Sequence, residues 1–153
     1  MMAVPPECTP LPDLAAVKSL ATRIASNLAV GDVVALSGDL GAGKTTLARM
    51  ILEGLGYEGE VPSPTFTILE TYDPPAVQVP SVHADFYRLQ SADEADELGL
   101  AEYRDGRALL AEWSEKAGDF TGEEGYLGIL LTTGSTGRMA RINRGAGWLE
   151  RAL

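Results

Sequence analysis

The sequence predicts a three-layer α/β fold whose central sheet mixes parallel and antiparallel strands. Short apolar runs alternate with amphipathic segments, as in folds where helices cover both faces of a sheet. The length of 153 residues matches one domain of about 150 residues. The composition, with 45% apolar and 22% charged residues, is that of a globular chain and excludes disorder. We therefore expect a single domain over residues 1–153, with a flexible N-terminus at residues 1–8.

Two helices and one strand are predicted in the first third of the chain. Residues 13–28 carry apolar side chains at three- and four-residue steps, which predicts an amphipathic helix. Residues 33–37 (VVALS) are nearly all apolar, as expected of a strand buried on both faces. A second helix is predicted over residues 44–55, and the glycine-rich segment 38–43 joins it to the strand.

The remaining segments predict five more strands and one short helix. Residues 65–72 and 82–87 are strand candidates, rich in β-branched and aromatic side chains. The link between them is about ten residues without helical periodicity, whereas a parallel crossover needs a dozen or more, so we expect an antiparallel pair. Residues 93–103 predict a short acidic helix, residues 107–113 a strand, and residues 126–142 approximately a terminal β-hairpin.

The charge is strongly negative and unevenly distributed. The chain has 22 acidic and 12 basic residues and a formal net charge of −10. This balance argues against a domain that grips nucleic acid by counterion release, or docks on an anionic membrane. Residues 91–124 hold eleven acids and three bases, whereas residues 138–153 hold four arginines and one acid. The basic end is the one place where a weak nucleic-acid contact is expected.

Targeting features are not visible in the sequence. The first residues have no basic start and no apolar run of signal-peptide length, and no stretch approaches the roughly 18 apolar residues of a membrane span. Cys8 is the single cysteine, which fits a reducing compartment. These features predict a cytoplasmic protein without membrane contact.

The strongest functional signal is the octapeptide at residues 38–45 (GDLGAGKT). It matches the P-loop pattern of Gly, four residues, Gly, Lys and Ser or Thr, and it stands between a predicted strand and a predicted helix. Glycines allow successive N–H groups to turn towards phosphate oxygens, and the helix adds its positive dipole end. Lys44 is suited to the β- and γ-phosphates and Thr45 to Mg²⁺. The expected nucleotide contacts are Asp39, Leu40, Gly41, Ala42, Gly43, Lys44, Thr45 and Thr46.

Thr65 is the first candidate for completing a catalytic site, because a P-loop enzyme needs more than the loop itself. It lies in the segment Ser63-Pro64-Thr65-Phe66, about twenty residues after the P-loop, before a predicted strand. Small GTPases carry a γ-phosphate-sensing threonine at a comparable place. A Ser-Pro turn that opens a strand explains the same residues equally well.

The segment of residues 83–88 (HADFYR) holds the second set of candidates. His83 and Asp85 lie on one face of the predicted strand. An acid on a strand beside the P-loop strand is the Walker-B arrangement, so Asp85 is a candidate Mg²⁺ ligand. For His83 a structural hydrogen-bonding role is favoured over catalysis. Arg88 could either stabilise the charge of a phosphate or form an ion pair with a surface acid.

Glu112 and Trp113 form the third set. Both follow the apolar run of residues 108–111, at the carboxyl edge of the predicted sheet, where α/β sites lie. Glu112 could hold Mg²⁺ through water or orient the attacking water, and Trp113 could cover the site. A solvated strand-end acid and an ordinary core aromatic are the alternatives.

Together, and in this order, these motifs resemble the bacterial TsaE (YjeE) family. The resemblance extends from about residue 11 into the terminal hairpin. Its matching positions are residues 38–46 (GDLGAGKTT), Val61, residues 63–66 (SPTF), His83, Asp85, residues 87–89 (YRL), 97–100 (ELGL), 102–103 (EY) and 112–113 (EW). The P-loop alone would indicate only a superfamily, whereas the other motifs at these intervals are much more specific.

The resemblance implies a single-domain P-loop NTPase fold and a Mg²⁺-dependent ATPase. Its activity would support N6-threonylcarbamoyladenosine modification of tRNA at position 37, acting with a TsaB–TsaD heterodimer and not forming the modification itself. Mg²⁺ would lie at Thr45 with an acid drawn from Asp85 and Glu112. Thr65 would lie in a switch-like loop, Trp113 would matter to the site, and Asp13 would lie near the adenine of ATP or ADP.

Slow intrinsic hydrolysis is expected, because the sequence shows no obvious arginine finger and a partner would complete the site. No stable direct tRNA binding by the chain alone is expected. The alternatives to an ATPase are a small-molecule P-loop kinase and a non-catalytic, nucleotide-gated scaffold. A GTP-binding switch is less favoured, because the guanine-reading Asn-Lys-x-Asp sequence is absent.

Overall fold

One seven-stranded sheet carries helices on both of its faces. The computed structural model describes residues 6–61, 69–135 and 137–153. The strands are β1 (Glu7–Leu11), β2 (Val33–Ser37), β3 (Leu69–Tyr72), β4 (Ser81–Asp85), β5 (Ala108–Glu112), β6 (Tyr126–Gly134) and β7 (Gly137–Arg144). The α-helices are α1 (Leu14–Asn27), α2 (Lys44–Gly54), α3 (Ala92–Glu97) and α4 (Leu100–Arg104), and short 3₁₀ helices span Ser114–Lys116 and Ala146–Trp148.

The strand order in the sheet is β1-β7-β6-β2-β5-β4-β3. The central strand β2 pairs in parallel with β5 and β6, and β5 also pairs in parallel with β4. The outer pairs β3–β4, β6–β7 and β1–β7 are antiparallel. The predicted mixed sheet is confirmed, as is the antiparallel pairing that the short link before β4 required.

Apolar side chains from alternate positions of the strands build two core clusters. Val34 and Leu36 of β2 face the cluster that holds the buried sides of α1 and α2. Val33 of β2 joins the opposite cluster, which includes Ala95 of α3 and Leu100 of α4. Since successive strand residues point to opposite faces, this alternation divides the molecule into the three predicted layers.

Two sequence expectations need correction. Glu7 and Cys8, expected within a flexible terminus, lie in β1, which pairs with β7 from Glu7↔Ile142 to Leu11↔Arg138. The acidic helix expected over residues 93–103 is two short helices, because Gly99 between α3 and α4 adopts a left-handed conformation with φ of 82°. Only a residue without a side chain takes this conformation readily, so the helix is interrupted there.

The basic C-terminal segment is largely engaged in contacts within the fold. Arg144 pairs with Glu7 at 2.7 Å, and Arg151 pairs with Asp32 at 2.5 Å. Trp148 is fully buried and donates from Nε1 to the carbonyl oxygen of Gly125 at 2.9 Å. The local charge of this segment therefore does not form one continuous exposed patch. None of the described helices has the length and apolar character needed to cross a bilayer.

Candidate functional site

The glycine-rich loop connects the C-terminal end of β2 to α2, as the sequence predicts, and glycine is required at two of its positions. Gly38 has a φ of 137°, and a Cβ atom there would lie 2.5 Å from the carbonyl oxygen of Leu131. Gly43 has a φ of 104° and precedes the first turn of α2. Both conformations disfavour any residue with a side chain. The loop thus brings backbone N–H groups to the positive end of α2.

Lys44 is buried at the base of this loop, with 5% of its surface exposed. Its Nζ donates to the carbonyl oxygens of Gly38 at 2.6 Å and Asp39 at 2.9 Å. The same ammonium lies 4.5 Å from the centroid of the Trp113 ring, within the range of a cation–π contact. The charge of Lys44 is therefore held beside the loop by two carbonyl dipoles and one aromatic face.

Glu112 links the loop to the centre of the sheet. Its Oε1 accepts a hydrogen bond from the Thr45 hydroxyl at 2.7 Å, and its Oε2 lies 2.7 Å from His83 Nε2. Only 2% of Glu112 is exposed and His83 is fully buried. A carboxylate buried this deeply needs donors, and Thr45 and His83 supply them. The expected structural hydrogen-bonding role of His83 matches this contact, although its partner is Glu112 and not the neighbouring Asp85.

The expectation that Asp85 stands on a strand beside the P-loop strand is wrong. Strand β5, which ends at Glu112, separates β4 from β2. Glu112 therefore holds the position that the sequence argument assigned to Asp85. Asp85 still faces the loop from one strand further away, and its Oδ1 accepts a hydrogen bond from the Tyr87 N–H at 3.0 Å. Burial raises the pKa of Asp85 above its usual value, and the charge of Glu112 adds to the rise.

A cleft of about 440 Å³ lies between the loop and the ends of β4 and β5. This volume is within the range of about 300 to 1,000 Å³ that small-molecule sites occupy. The cleft gathers most of the predicted site residues, namely Leu40, Gly41, Gly43, Lys44, Thr45, Thr46, Asp85, Glu112 and Trp113, together with Tyr87, Arg88 and Arg138. These side chains come from four separate segments of the chain, which only the sheet brings together.

The other predicted residues are not among those that line the cleft. Asp39 and Ala42 belong to the loop: the backbone carbonyl of Asp39 accepts from Lys44, and Ala42 is buried. Asp13 is the N-cap of α1, accepting from the Ala16 N–H at 2.8 Å, and it lines a separate cavity. Thr65, with the rest of the Ser-Pro-Thr-Phe motif, lies outside the described residues, so its predicted role stays a prediction.

Trp113 adopts an unusual backbone conformation at the rim of the cleft. Its φ is 58°, and it is the one non-glycine residue with positive φ among those that the structure describes. A bulky residue in this region is strained, and such strain clusters at functional sites. The ring contacts Tyr87 at a centroid distance of 5.1 Å, and Lys116 Nζ donates to the Tyr87 carbonyl oxygen at 2.6 Å. Trp113 and Tyr87 thus form one wall of the cleft, and Lys116 holds the backbone of Tyr87.

Sequence reasoning missed two of these residues. Lys116 follows an acidic stretch with no motif around it. Arg138 was grouped with the basic C-terminal segment, yet its Nη1 lies 3.2 Å from the position that a Cβ of Gly43 would occupy. Only the pairing of β7 with β6 and β1 brings Arg138 to the loop, and no local pattern in the sequence signals it.

Oxygen ligands suited to Mg²⁺ are present beside the loop. Within the described part of the chain, no group of three or more His, Cys, Asp and Glu side chains could hold a metal ion. Mg²⁺ does not require one, because it keeps several waters and binds through one or two carboxylates together with substrate phosphates. The Thr45 hydroxyl donates its proton to Glu112, so its lone pairs remain available to a cation. The donor set of Thr45 and Glu112 therefore fits this ion.

Comparisons with known proteins agree on one family. A family model described as "Threonylcarbamoyl adenosine biosynthesis protein TsaE" matches residues 11–140. A tRNA threonylcarbamoyladenosine biosynthesis protein TsaE of Streptomyces coelicolor is 41% identical over 121 residues, which span 78% of this chain and 82% of that protein. The protein of the same description from Bacillus subtilis is 45% identical over 98 residues, 63% of this chain and 60% of that one.

The fold comparison finds a solved structure of similar architecture. A crystal structure of Bacillus subtilis YdiB superposes with a TM-score of 0.69 at 30% sequence identity. The superposition covers 97% of this chain and 91% of the YdiB chain. The similarity therefore includes both ends of the sheet as well as the glycine-rich loop.

Proposed function

This chain belongs to the TsaE family of threonylcarbamoyl adenosine biosynthesis proteins, and from that premise we propose that it is a Mg²⁺-dependent ATPase. In this proposal it is required for N6-threonylcarbamoyladenosine modification of tRNA at position 37 and acts together with a TsaB–TsaD heterodimer. The observation that carries the proposal is the hydrogen bond from Thr45 to Glu112 beside the Lys44 ammonium. It unites a phosphate loop, a metal-binding hydroxyl and a buried acid in one cleft.

The proposed reaction is the hydrolysis of ATP to ADP and phosphate. The water oxygen forms a bond to the γ-phosphorus, and the bond from that phosphorus to the β–γ bridging oxygen breaks. One proton of the water leaves to solvent and the other stays on the phosphate product. ADP carries away the bridging oxygen as the leaving group. Catalysis is then mainly positioning and charge stabilisation.

The residues of the cleft have separate tasks in this reaction. Lys44 turns from the loop carbonyls to the β- and γ-phosphates, and the loop N–H groups bind the remaining phosphate oxygens. Thr45 and Glu112 would hold Mg²⁺, which would supply Lewis-acid charge stabilisation at the phosphates. Because Glu112 is assigned to the metal, Asp85, the other carboxylate that lines the cleft, is assigned to orient the attacking water.

Partner binding is proposed to raise a slow intrinsic rate. Residues 91–124, which include α3 and α4, carry most of the negative charge of the chain. Such a concentrated field steers association with a protein of complementary charge. ATP turnover would then support the catalytic cycle of TsaD, while tRNA is bound by the partner proteins and not by this chain alone.

Two measurements test this function. Calorimetry with ATP and Mg²⁺ should show binding to the wild type and its loss in Lys44→Ala, because the loop then lacks its mobile cation. Steady-state phosphate release should be slow for the chain alone and faster with TsaB and TsaD. No phosphate release under either condition, with ATP binding intact, would favour the nucleotide-gated scaffold. Transfer of the phosphoryl group to an added small molecule would favour the kinase.

A further inference from the structure

Arg138 is the one basic side chain of the cleft that comes from the terminal hairpin. It shares a strand face with Ala140 and Ile142, which are buried in the core cluster against α1 and α2. Because strand side chains alternate between faces, Arg138 points to the same side of the sheet as the P-loop helix. Its Nη1 lies 3.2 Å from the position of a Cβ on Gly43, so the guanidinium lies directly against the loop.

The guanidinium also stands between two cavities. It lines the cleft of the P-loop and a second cavity of about 410 Å³ at the start of α1, which Pro12, Asp13 and Leu14 also line. The hairpin register creates this position, since Arg138 lies opposite Leu11 of β1 and Thr133 of β6. If the phosphates of a nucleotide occupy the first cavity and its base the second, the nucleotide runs past Arg138, which lines both cavities.

The electrostatics of this position favour an anion. The N-terminus of the eleven-residue helix α2 carries a partial positive charge, to which Lys44 adds a full charge. Among residues 6–61, 69–135 and 137–153, no carboxylate forms an ion pair with Arg138, whereas Arg104, Arg107, Arg144 and Arg151 each pair with an acid. A cation beside a positive helix end is unfavourable on its own, and a phosphate placed between the two positive groups offsets the repulsion.

We propose that Arg138 is a nucleotide-binding residue that contacts the α- and β-phosphates of ATP and of ADP. This inference rests on the proposed function and specifies how its site is completed. The loop amides around Gly43 are those that cradle the α- and β-phosphates in a P-loop, whereas the lysine reaches the β- and γ-phosphates. Arg138 therefore binds the product ADP as well as the substrate, and its contribution does not depend on the γ-phosphate.

Calorimetric titration of ATP and ADP into four proteins tests this role: wild type, Arg138→Ala, Arg138→Gln and the control Arg141→Gln. Arg141 is exposed on the opposite face of the same strand. Loss of one charge-assisted contact should weaken ATP and ADP by the same factor, about tenfold or more. Arg141→Gln should bind both nucleotides as the wild type does. Arg138→Gln removes the charge but keeps the aliphatic part of the side chain and a polar end, so this variant tests the contact if Arg138→Ala does not fold.

Inorganic pyrophosphate identifies the part of the nucleotide that is contacted. It should displace a fluorescent ADP analogue from the wild type. In Arg138→Gln the inhibition constant of pyrophosphate should rise by about the same factor as the dissociation constant of ADP. Equal pyrophosphate inhibition of the wild type and Arg138→Gln would overturn the phosphate contact. An ADP affinity of Arg138→Gln equal to that of the wild type would overturn it as well. Weakening of ATP binding alone would also overturn it, since that result assigns Arg138 to the γ-phosphate.

Lys44→Ala separates failure of this inference from failure of the proposed function. If the wild type binds ATP and Lys44→Ala does not, while Arg138→Gln matches the wild type, only the role of Arg138 is wrong. If the wild type itself does not bind ATP or ADP, the proposed function is wrong as well.

Discussion

The Thr45 hydroxyl donates a 2.7 Å hydrogen bond to Glu112 Oε1, and this bond joins the first turn of α2 to the last residue of β5. The two residues are 67 positions apart in the sequence, and the parallel pairing of β2 with β5 brings them together. The Glu112 carboxylate is buried and shared with His83. Glu112 therefore couples the first turn of α2 to the interior of the sheet.

Glu112→Gln should abolish Mg²⁺-dependent hydrolysis while leaving a folded protein. The amide keeps the shape of the side chain but removes the negative charge that holds a cation at Thr45. Charge stabilisation by a metal provides several kcal/mol, and each 1.36 kcal/mol is tenfold in rate, so we expect a loss of about 100-fold or more. Phosphate release at saturating ATP measures it. A rate within about threefold of the wild type, roughly 0.6 kcal/mol, would contradict the role of Glu112.

His83 should contribute to stability through Glu112. In His83→Phe, a buried carboxylate loses one of its two donors, and an unsatisfied buried group costs about 1 to 3 kcal/mol. Urea unfolding measures the change in the free energy of unfolding. In the double variant with Glu112→Gln the cost should shrink, because the charge that needs His83 is gone. Strictly additive costs would show that His83 acts through its own packing instead.

Trp113 should report nucleotide binding by fluorescence. Its ring lies 4.5 Å from Lys44 Nζ, and this contact breaks if Lys44 turns to the phosphates. ATP should change the tryptophan emission of the wild type. Trp148→Phe should retain most of the change, since Trp148 is fully buried beside Gly125, whereas Trp113→Phe should lose it. A change that persists in Trp113→Phe would place the response elsewhere.

Asp85→Asn should raise the thermal midpoint of the nucleotide-free protein at pH 7. Burial raises the pKa of Asp85 above its ordinary value of 3.8, so the folded state binds a proton more readily than the unfolded state does. The contribution of Asp85 to stability therefore falls as the pH rises through the folded pKa, and the amide removes that cost. The gain should be present at pH 7 and disappear as the pH is lowered towards 3.8.

Asp119→Asn is the matched control for this titration. Hydrogen bonds from Thr121 lower the pKa of Asp119, so removing that carboxylate should not stabilise the protein. A gain for Asp85→Asn that is the same at every pH would mean that its ionisation is not responsible. ATPase activity should fall in Asp85→Asn even though the protein becomes more stable.

Trp148 should be one of the larger single contributors to stability. It is fully buried, and its Nε1–H is satisfied by the carbonyl oxygen of Gly125. Trp148→Ala should lower the free energy of unfolding by about 3 to 5 kcal/mol, measured by urea denaturation. Leu149→Ala next to it should change the free energy of unfolding by less than about 0.5 kcal/mol, because Leu149 is exposed. Similar losses for both variants would show that the terminal 3₁₀ helix acts as a unit.

Local patterns determined the elements that carry the site. The periodicity of residues 13–28 predicted α1, and the apolar run of residues 33–37 predicted the central strand. The position of the glycine-rich loop between β2 and α2 followed from the order of these segments along the chain. The short link before β4 was enough to predict an antiparallel pair, because a chain of that length cannot cross back over a sheet.

These local patterns did not predict the order of the strands in the sheet, and that order changed the interpretation of Asp85 and Glu112. Asp85 and Glu112 both end an apolar strand, so the sequence does not say which strand adjoins β2. Hydrogen bonding between distant segments decides it, and β5 takes that place. The tertiary structure also changed the interpretation of the basic C-terminal segment. Arg144 and Arg151 pair with Glu7 and Asp32, which lie more than a hundred positions away.

The sequence by itself determined that this chain carries a glycine-rich segment with the P-loop pattern, which residues form it, and which family it resembles. Those features depend on neighbours along the chain, because φ preferences, helix periodicity and motif spacing are local. Only the tertiary structure decided that Glu112 meets Thr45, that His83 supports Glu112, and that Arg138 reaches Gly43. These contacts join segments that the sheet aligns by long-range pairing, and no local preference specifies such pairing.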